Sequence, residues 1–235
     1  MTSHSNNLVG LITRARYVLL DFDGPICRLF AGHAADHVSR ELVRWLEKQG
    51  ADGLLTDAEQ RATDPWDVLR AVDRRHPSGE LVVELEERLT QEELLAACSA
   101  EPTPYADGVV RAWAAKGVGL AVTTNNSPAA TRKYLGLRGL ETCFGIHVHG
   151  RTSDLSRLKP HPDCLERALA GLDADPSEAL MIGDAPSDLE AASSSGVRFV
   201  GYVRNPRKRE ALLTAGADPE CLVSSMAEVL TVLGR

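Results

Sequence analysis

The strongest chemical signal in the sequence is a pair of carboxylates that directly follows a short apolar run. Asp21 and Asp23 are separated by one residue, come after Tyr17–Leu20 and are followed by Gly24. A short apolar run is typical of a buried strand, and ligands bind at the carboxyl ends of parallel strands. Two neighbouring carboxylates are costly to hold together unless a cation or a proton is shared between them. The pair therefore indicates a metal site, acid–base chemistry or both.

Three further predicted strand or helix ends carry groups that are capable of chemistry. In chain order these groups are Thr124 and Asn125, then Lys159, then Asp184 and Asp188. Taken singly, each has an ordinary explanation: a hydroxyl at a strand end, a solvated lysine, or a carboxylate that caps a helix. Chance is a poor explanation for the whole order of carboxylate pair, hydroxyl, lysine and carboxylate pair. The set therefore favours one shared site.

The elements that must position these groups alternate between strand and helix. Strands are predicted at 17–22, 119–123, 144–148, 179–182 and 197–203, with a weak one near the C-terminal end. Helices are predicted at 8–14, 108–116, 127–135, 162–170 and 187–194, and within 206–233. Such alternation implies right-handed crossovers and an α/β fold with a parallel sheet covered on both faces.

The region between the first two strands has a different pattern. From about His33 to Ala100 the sequence gives helix signals only, with Gly50 at a predicted helix end and Asp64 before Pro65 at a predicted helix start. We therefore predict an all-helical cap domain over 31–100. It is inserted into an α/β core domain formed by 1–30 and 101–235.

The composition is that of an acidic globular protein. The chain has 235 residues, 43% of them hydrophobic, and a formal net charge of −7, so nonspecific nucleic-acid binding is not expected. Its five cysteines form no CxxC pair, which favours reduced thiols in a cytoplasm over disulfides or a zinc site. No membrane span or signal peptide is predicted, and residues 1–7 are expected to be loose. We expect a monomer or a homodimer.

The four motifs in this order resemble the haloacid dehalogenase-like superfamily, most of whose members are phosphatases. The resemblance covers about 17–26 and 104–204, and the position of the insert is similar to the helical cap of the phosphoglycolate phosphatase and β-phosphoglucomutase branch. It implies a doubly wound, Rossmann-like parallel sheet and Mg²⁺-dependent phosphoryl transfer from a small phosphorylated metabolite. Pro25 stands where the family usually has Thr or Val, and because proline lacks an N–H and fixes φ, the turn into the cap is expected to differ.

The resemblance also implies a role for each motif residue. Asp21 would be the nucleophile that forms an aspartyl-phosphate, and Asp23 would act as acid and then as base. Thr124 and Asn125 would bind the phosphoryl group, and Lys159 would neutralise negative charge. The implied metal site consists of Asp21, Asp23 through its backbone carbonyl, Asp184 and Asp188. The Asp23 carboxyl also argues against dehalogenation, because a halide leaving group needs no proton.

Other interpretations stay open at this stage. A phosphomutase of the β-phosphoglucomutase type would use the same core residues, and a non-catalytic protein could keep the fold for binding. The basic cluster 204–209 is expected to be a solvated helix start, with substrate steering as the alternative. Trp45 and Trp66 are expected in the cap core, or else beside the substrate. The histidines at 147 and 149 give only a weak metal signal.

Overall fold

The computed structural model describes residues 6–77 and 79–234, and the predicted alternation of strands and helices is present in it. The strands are β1 (Tyr17–Leu20), β2 (Cys27–Arg28), β3 (Glu101–Pro102), β4 (Gly119–Thr123), β5 (Val148–His149), β6 (Ala179–Gly183), β7 (Arg198–Tyr202) and β8 (Leu222–Val223). The helices are α1 (Asn6–Arg14), α2 (Ala35–Lys48), α3 (Asp57–Gln60), α4 (Pro65–Arg75), α5 (Glu80–Ser99), α6 (Ala106–Ala115), α7 (Pro128–Arg138), α8 (Glu141–Phe144), α9 (Asp163–Leu172), α10 (Pro186–Ser194), α11 (Pro206–Thr214) and α12 (Met226–Leu233).

Six strands form one parallel sheet in the order β5-β4-β1-β6-β7-β8. β1 lies inside the sheet, with Tyr17 paired to Gly119 of β4 on one side and to Ala179 of β6 on the other. The chain therefore builds the sheet outward from β1 in both directions, which confirms the doubly wound fold. The switch of direction at β1 leaves a crevice at the carboxyl ends of the central strands, where ligands bind in such sheets.

The residues of β1 explain why the strand is central. Val18 and Leu20 face an apolar cluster shared with α6 and α12, whereas Leu19 faces a second cluster formed with α9 and α10. All three side chains are almost completely buried. A strand that is covered on both faces has no polar side, so its sequence is continuously apolar. Burial on both faces fixes the strand that carries Asp21 at its end.

The helical insert has an apolar core of its own. Leu42 and Leu46 of α2, Leu69 of α4 and Leu85 of α5 belong to this cluster, and Leu158 joins it from the segment that leads to Lys159. Asp64 caps α4 by accepting a hydrogen bond from the Trp66 N–H at 3.0 Å, as predicted. The insert therefore packs against the segment that carries a predicted site residue. The domain boundaries at 30/31 and 100/101 stay a prediction.

Two predictions about local structure are wrong. The strand predicted at 144–148 is shorter, because residues 141–144 form α8 and Gly145, with φ of 54°, ends that helix before β5 begins at Val148. The chain is also not loose up to residue 7, because α1 begins at Asn6; Met1–Ser5 lie outside the described residues. Phe144, the apolar residue on which the strand prediction depended, is the last residue of α8 and is buried there.

The two segments that connect the core with the insert form a short sheet that was not predicted. β2 and β3 pair antiparallel as a two-stranded ribbon, with Cys27 opposite Pro102 and Arg28 opposite Glu101. The Arg28 guanidinium also binds the Glu101 carboxylate at 2.8 Å.

Within 6–77 and 79–234, no helix combines the length and the apolar character that a membrane crossing requires.

Candidate active site

The carboxyl ends of β1, β4 and β6 meet in a cavity of about 130 Å³. All of the residues that the sequence predicts for the site line this cavity: Asp21, Asp23, Thr124, Asn125, Lys159, Asp184 and Asp188. Their positions follow from the sheet, since neighbouring parallel strands end at the same edge. Strand ends that are far apart in the sequence therefore contribute to one site.

Lys159 lies at the centre of the charged groups. Its side chain is buried, and its ammonium donates to Asp21 Oδ1 at 2.8 Å, to Asp188 Oδ1 at 2.6 Å and to the backbone oxygen of Thr123 at 3.0 Å. These bonds use all three donors of a lysine ammonium. The alternative of a solvated surface lysine is therefore excluded, and Lys159 connects the first motif with the last.

Asn125 fixes the backbone on which Lys159 stands. Its Oδ1 accepts from the Lys159 N–H at 2.7 Å, and its Nδ2 donates to the Lys159 carbonyl at 3.2 Å. Arg70 of α4 donates to the same carbonyl at 3.2 Å. In this structure the Asn125 amide thus serves to place Lys159, although the side chain also lines the cavity.

Asp188 belongs to the start of α10 and organises the loop before it. Its Oδ2 accepts from the N–H groups of Asp184 and Ala185, both at 3.0 Å, while its Oδ1 binds Lys159. The approach is so close that a Cβ on Gly183 would lie 2.4 Å from Asp188 Cβ. Glycine is therefore required at 183 for the two carboxylates to share one edge of the cavity.

The donor set fits a divalent cation. Asp21, Asp184 and Asp188 each offer an oxygen, and these oxygens lie within 4.8 Å of one another. Asp184 Oδ2 is buried and has no hydrogen-bond partner, although Lys208 Nζ binds the other oxygen of that carboxylate at 2.9 Å. Carboxylate oxygens are the ligands that hard divalent cations prefer. A buried oxygen without a partner is the position that such a cation would satisfy.

Burial and crowding raise the carboxyl pKa values in the cavity. Burial, with the charge of Asp188 in addition, raises the pKa of Asp21 to about 7 despite the opposing charge of Lys159. Burial likewise raises the pKa of Asp184 to about 6 against the charge of Lys208. Burial alone would lower the pKa of Lys159, but the charges of Asp188 and Asp21 outweigh it and raise that pKa. The carboxylates as a group are therefore short of positive charge.

Asp23 differs from the other carboxylates of the site. It is not a member of the three-residue group of possible metal ligands, and its Oδ1 accepts from the Leu29 N–H at 2.9 Å. Burial is the largest influence on it and raises its pKa, while the Leu29 bond lowers it. The side chain is thus oriented by the backbone beyond Pro25 and retains a proton more readily than an exposed aspartate.

Thr124 is buried at the end of β4. Its hydroxyl donates to Asn126 Oδ1 at 3.0 Å and accepts from the Asn126 N–H at 3.1 Å. Six residues outside the predicted set also line the cavity, among them Trp66, for which a place beside the substrate was the alternative prediction, and the cations Arg204 and Lys208. The sequence contained a signal for the two cations, because the basic cluster 204–209 follows β7 at the same edge of the sheet. His147 and His149 do not line the cavity.

Comparisons with known proteins agree with this geometry. A family model described as a haloacid dehalogenase-like hydrolase matches residues 15–196. The pyrophosphatase PpaX of Anoxybacillus flavithermus is 32% identical over 119 residues, which are 51% of this chain and 54% of that protein. A phosphoglycolate phosphatase of Pectobacterium atrosepticum is 31% identical over 122 residues, 52% of this chain and 50% of that protein. The chain thus spans about half the length of the curated relatives it matches.

The overall fold is also found among solved structures. CbbY from Rhodobacter sphaeroides, in complex with phosphate, superposes with a TM-score of 0.66. The superposition covers 94% of this chain and all (100%) of that chain, at 21% sequence identity. At this identity the likeness concerns the fold. It includes the helical insert as well as the sheet, since almost the whole of both chains is covered.

Proposed function

The chain belongs to the haloacid dehalogenase-like hydrolase family, and on that basis we propose that it is a Mg²⁺-dependent phosphatase of small-molecule phosphate monoesters. The observation that carries the proposal is the Lys159 ammonium, which binds Asp21 and Asp188 at once in a cavity that Thr124 and Asp184 also line. A lysine, a hydroxyl and several carboxylates around one small cavity suit the transfer of a phosphoryl group. The names of the two curated relatives support phosphate-ester or phosphoanhydride chemistry.

Asp21 is the nucleophile in this proposal. One carboxylate oxygen forms a bond to phosphorus while the bond from phosphorus to the leaving oxygen breaks, giving an aspartyl-phosphate. Lys159 bonds to Asp21 Oδ1, so it holds the carboxylate in place and favours its ionised form. The Asp21 pKa of about 7 refers to the protein without a cation, and a bound cation lowers it.

Asp23 transfers the protons. Its raised pKa favours the protonated acid, which donates its proton to the leaving oxygen as the first bond breaks. The resulting carboxylate then takes a proton from the water that attacks the aspartyl-phosphate. This second step releases inorganic phosphate, regenerates the Asp21 carboxylate and returns the proton to Asp23. The Leu29 N–H keeps the acid oriented during both steps.

Asp21, the Asp23 carbonyl and Asp184 would hold Mg²⁺, with Asp188 as a further ligand or as the residue that orients Asp184 through its backbone N–H. When bound, Mg²⁺ supplies positive charge to the phosphoryl oxygens and keeps the carboxylates ionised. Thr124 would donate its hydroxyl proton to a phosphoryl oxygen in place of the bond that it donates to Asn126 Oδ1 in the free site. Lys159 offsets the negative charge that accumulates during transfer.

The substrate class, the cellular location and the assembly state are also proposals. A small phosphorylated metabolite suits a cavity of about 130 Å³ that Trp66 of the insert also lines. A cytoplasmic location accords with five cysteines that are all free thiols. Every motif residue lines the cavity, which supports an enzyme over a non-catalytic protein. A phosphomutase would use the same residues and differs in whether inorganic phosphate accumulates. The choice of monomer or homodimer stays a prediction.

Release of inorganic phosphate from p-nitrophenyl phosphate and from a panel of phosphorylated metabolites tests the proposal. We expect release that requires Mg²⁺, stops in EDTA and falls by at least about 10³-fold in Asp21→Asn, which keeps the side-chain shape but is not a nucleophile. Asp175→Asn is the matched control, because Asp175 caps an exposed turn away from the cavity. That variant should keep wild-type activity.

Three results would contradict the proposal. Activity that survives in Asp21→Asn would exclude Asp21 as the nucleophile. The complete absence of phosphate release from every compound, in folded wild-type protein with Mg²⁺, would remove the phosphatase function. Isomerisation of a sugar phosphate without accumulation of inorganic phosphate would identify a phosphomutase instead.

A further inference from the structure

Behind the loop that carries Thr124 and Asn125 lies a fully buried ion pair. Glu93 is on α5 and Arg151 follows β5, and neither side chain has any solvent-exposed surface. Two parallel hydrogen bonds join them, from Arg151 Nη1 to Glu93 Oε1 at 3.1 Å and from Nη2 to Oε2 at 2.9 Å. The pair therefore connects the helical insert to the sheet with fixed geometry.

Every donor of the Arg151 guanidinium is used. Besides the two bonds to Glu93, Nε donates to Glu86 Oε1 at 2.7 Å, Nη2 to Thr90 Oγ1 at 2.9 Å and Nη1 to the Asn125 carbonyl at 3.1 Å. These five bonds match the five N–H groups of an arginine. A lysine could not reproduce them, because an ammonium has three donors on a single atom.

Every acceptor position of Glu93 is used as well. Its Oε1 accepts from Asn126 Nδ2 at 2.9 Å, and its Oε2 accepts from the Ser127 N–H at 2.9 Å, in addition to the two bonds from Arg151. A carboxylate has about four such positions. Glu93 thus binds both the side chain and the backbone of the loop at 124–127.

The position of the Thr124 hydroxyl depends on contacts that Glu93 and the Arg151 backbone make with Asn126. The backbone N–H of Arg151 donates to the backbone carbonyl of Asn126 at 3.0 Å, and a Cβ on Gly150 would lie only 2.4 Å from that oxygen, so glycine permits the approach. Asn126 in turn exchanges two hydrogen bonds with the Thr124 hydroxyl. The position of the hydroxyl therefore depends on Asn126, whose amide is held by Glu93.

Arg151 also contacts Trp66, which lines the cavity. Its guanidinium carbon lies 4.6 Å from the centre of the Trp66 ring, in the geometry of a cation–π contact. Trp66 belongs to α4 and lines the cavity. One arginine thus touches α4, α5 and the loop after β4, three elements that surround the place where substrate would bind.

We propose that Glu93 and Arg151 are positioning residues, which hold the phosphoryl-binding loop at 124–127 and the Trp66 wall in the arrangement that catalysis needs. A buried ion pair adds little stability compared with well-packed apolar side chains, so its full satisfaction points to a role in geometry. Rates of phosphoryl transfer respond steeply to displacements of about 1 Å. The kinetic part of this inference rests on the proposed phosphatase function.

Two conservative substitutions test the role. In Glu93→Gln the new amide presents N–H donors to groups that are themselves donors, and in Arg151→Lys the charge remains but at least two of the five bonds are lost. We expect kcat/KM for p-nitrophenyl phosphate to fall about 10- to 100-fold. Inhibition by inorganic phosphate should weaken in parallel, and hydrogen exchange of the Ser127 amide should become faster. The pH dependence of kcat should be unchanged, because neither residue transfers a proton.

The double variant Glu93→Met/Arg151→Met separates positioning from folding. It replaces the pair with apolar side chains, so its melting temperature should be closer to wild type than that of Glu93→Gln, while kcat/KM stays low. Arg138→Lys is the matched control, since Arg138 forms an ion pair with Asp107 that does not line the cavity. It should keep wild-type kcat/KM.

Several outcomes would overturn the inference. Wild-type kcat/KM and phosphate inhibition in any one of the folded variants at 93 or 151 would show that the loop needs no such support. Recovery of activity together with stability in the double variant would reduce the pair to a structural role. A wild-type protein that is folded yet inactive on every compound would remove the proposed function first, and with it the positioning role.

Discussion

Two groups of buried charges lie beside the loop at 124–127: the catalytic cluster around Lys159, and the pair of Glu93 and Arg151. They differ in whether their charged groups are fully hydrogen-bonded. In the catalytic cluster, Asp184 Oδ2 has no partner, and burial raises the pKa of Asp21 to about 7 and that of Asp184 to about 6. In the pair of Glu93 and Arg151, every donor and acceptor is used. Burial opposes the charge of Arg151, but Glu93 more than offsets it and raises that pKa.

The difference indicates what each group is for. A buried network whose bonds are complete can define one arrangement of the chain, because any displacement leaves a charged group unpaired. A buried cluster with excess negative charge is costly by itself and becomes favourable only when a cation or a phosphoryl group arrives with its metal. We therefore propose that the pair of Glu93 and Arg151 fixes the arrangement of the chain and that the catalytic cluster binds the ligand.

The largest contrast should come from changing a carboxylate to an amide in each group. Glu93→Gln leaves the buried Arg151 with Glu86 as its remaining carboxylate partner and should lower the free energy of unfolding by about 3 kcal/mol, the lower end of the cost of breaking a buried ion pair. Asp21→Asn removes a charge whose pKa is raised in the folded protein, so at pH 8 in EDTA it should raise the free energy of unfolding, by on the order of 1 kcal/mol after the lost Lys159 bond is counted. Urea denaturation of both variants measures the two effects.

Asp175→Asn again provides the control, since an exposed capping aspartate should change the free energy of unfolding by no more than about 1 kcal/mol. If Glu93→Gln and Asp21→Asn both destabilise the protein to the same extent, the distinction between a satisfied and an unsatisfied cluster is wrong. An opposite sign for the two substitutions would support it.

The catalytic cluster should make the stability of the protein depend on pH. The pKa of Asp21 rises from 3.8 to about 7 on folding and that of Asp184 from 3.8 to about 6, so the folded state binds protons more tightly than the unfolded state. In EDTA, stability from these groups should therefore fall as pH rises from about 4 to about 7. Saturating Mg²⁺ should raise the melting temperature by about 5–10 °C at pH 8 and by less at pH 5, where protons compete.

Melting curves in EDTA and in Mg²⁺ at several pH values measure this effect. Asp21→Asn is the internal control, since other titrating groups are shared between the two proteins and only the slope due to Asp21 is removed. Equal gains from Mg²⁺ at pH 5 and pH 8 would mean that the cation does not bind this cluster of carboxylates.

The sequence predicts the catalytic cluster far better than the supporting pair. Asp21, Lys159 and Asp184 each stand at a strand or helix end, and the geometry of a parallel sheet brings such ends together whatever their separation in the chain. The fold class follows from the same alternation of apolar runs and helices. Local spacing was sufficient because these residues are placed by the regular part of the structure.

Glu93 and Arg151 leave no such signal. A glutamate in the helix Glu80–Ser99, which contains many others, is normally exposed, and an arginine after a short edge strand is normally in a loop. The helix α5, which carries Glu93, packs on α7, and no periodicity in the sequence specifies that contact. The error at 144–148 has the same origin, because tertiary packing selects a helical turn for Phe144 where apolar residues favour a strand.

The smallest effect should be found at Lys208, the cation that partly compensates the catalytic cluster. Its ammonium lies 2.9 Å from Asp184 Oδ1, so it competes with a metal ion for that carboxylate. At pH 8, Lys208→Met should strengthen Mg²⁺ binding by about fivefold, which corresponds to about 1 kcal/mol for one charge at this distance near a solvated surface. Calorimetric titration with Mg²⁺ measures the affinity, and Lys133→Met is the control because Lys133 is exposed and does not line the cavity. Weaker Mg²⁺ binding in Lys208→Met would mean that Lys208 orients Asp184 for the metal and does not compete with it. The unpartnered oxygen of Asp184 would then overstate how much positive charge the cluster lacks.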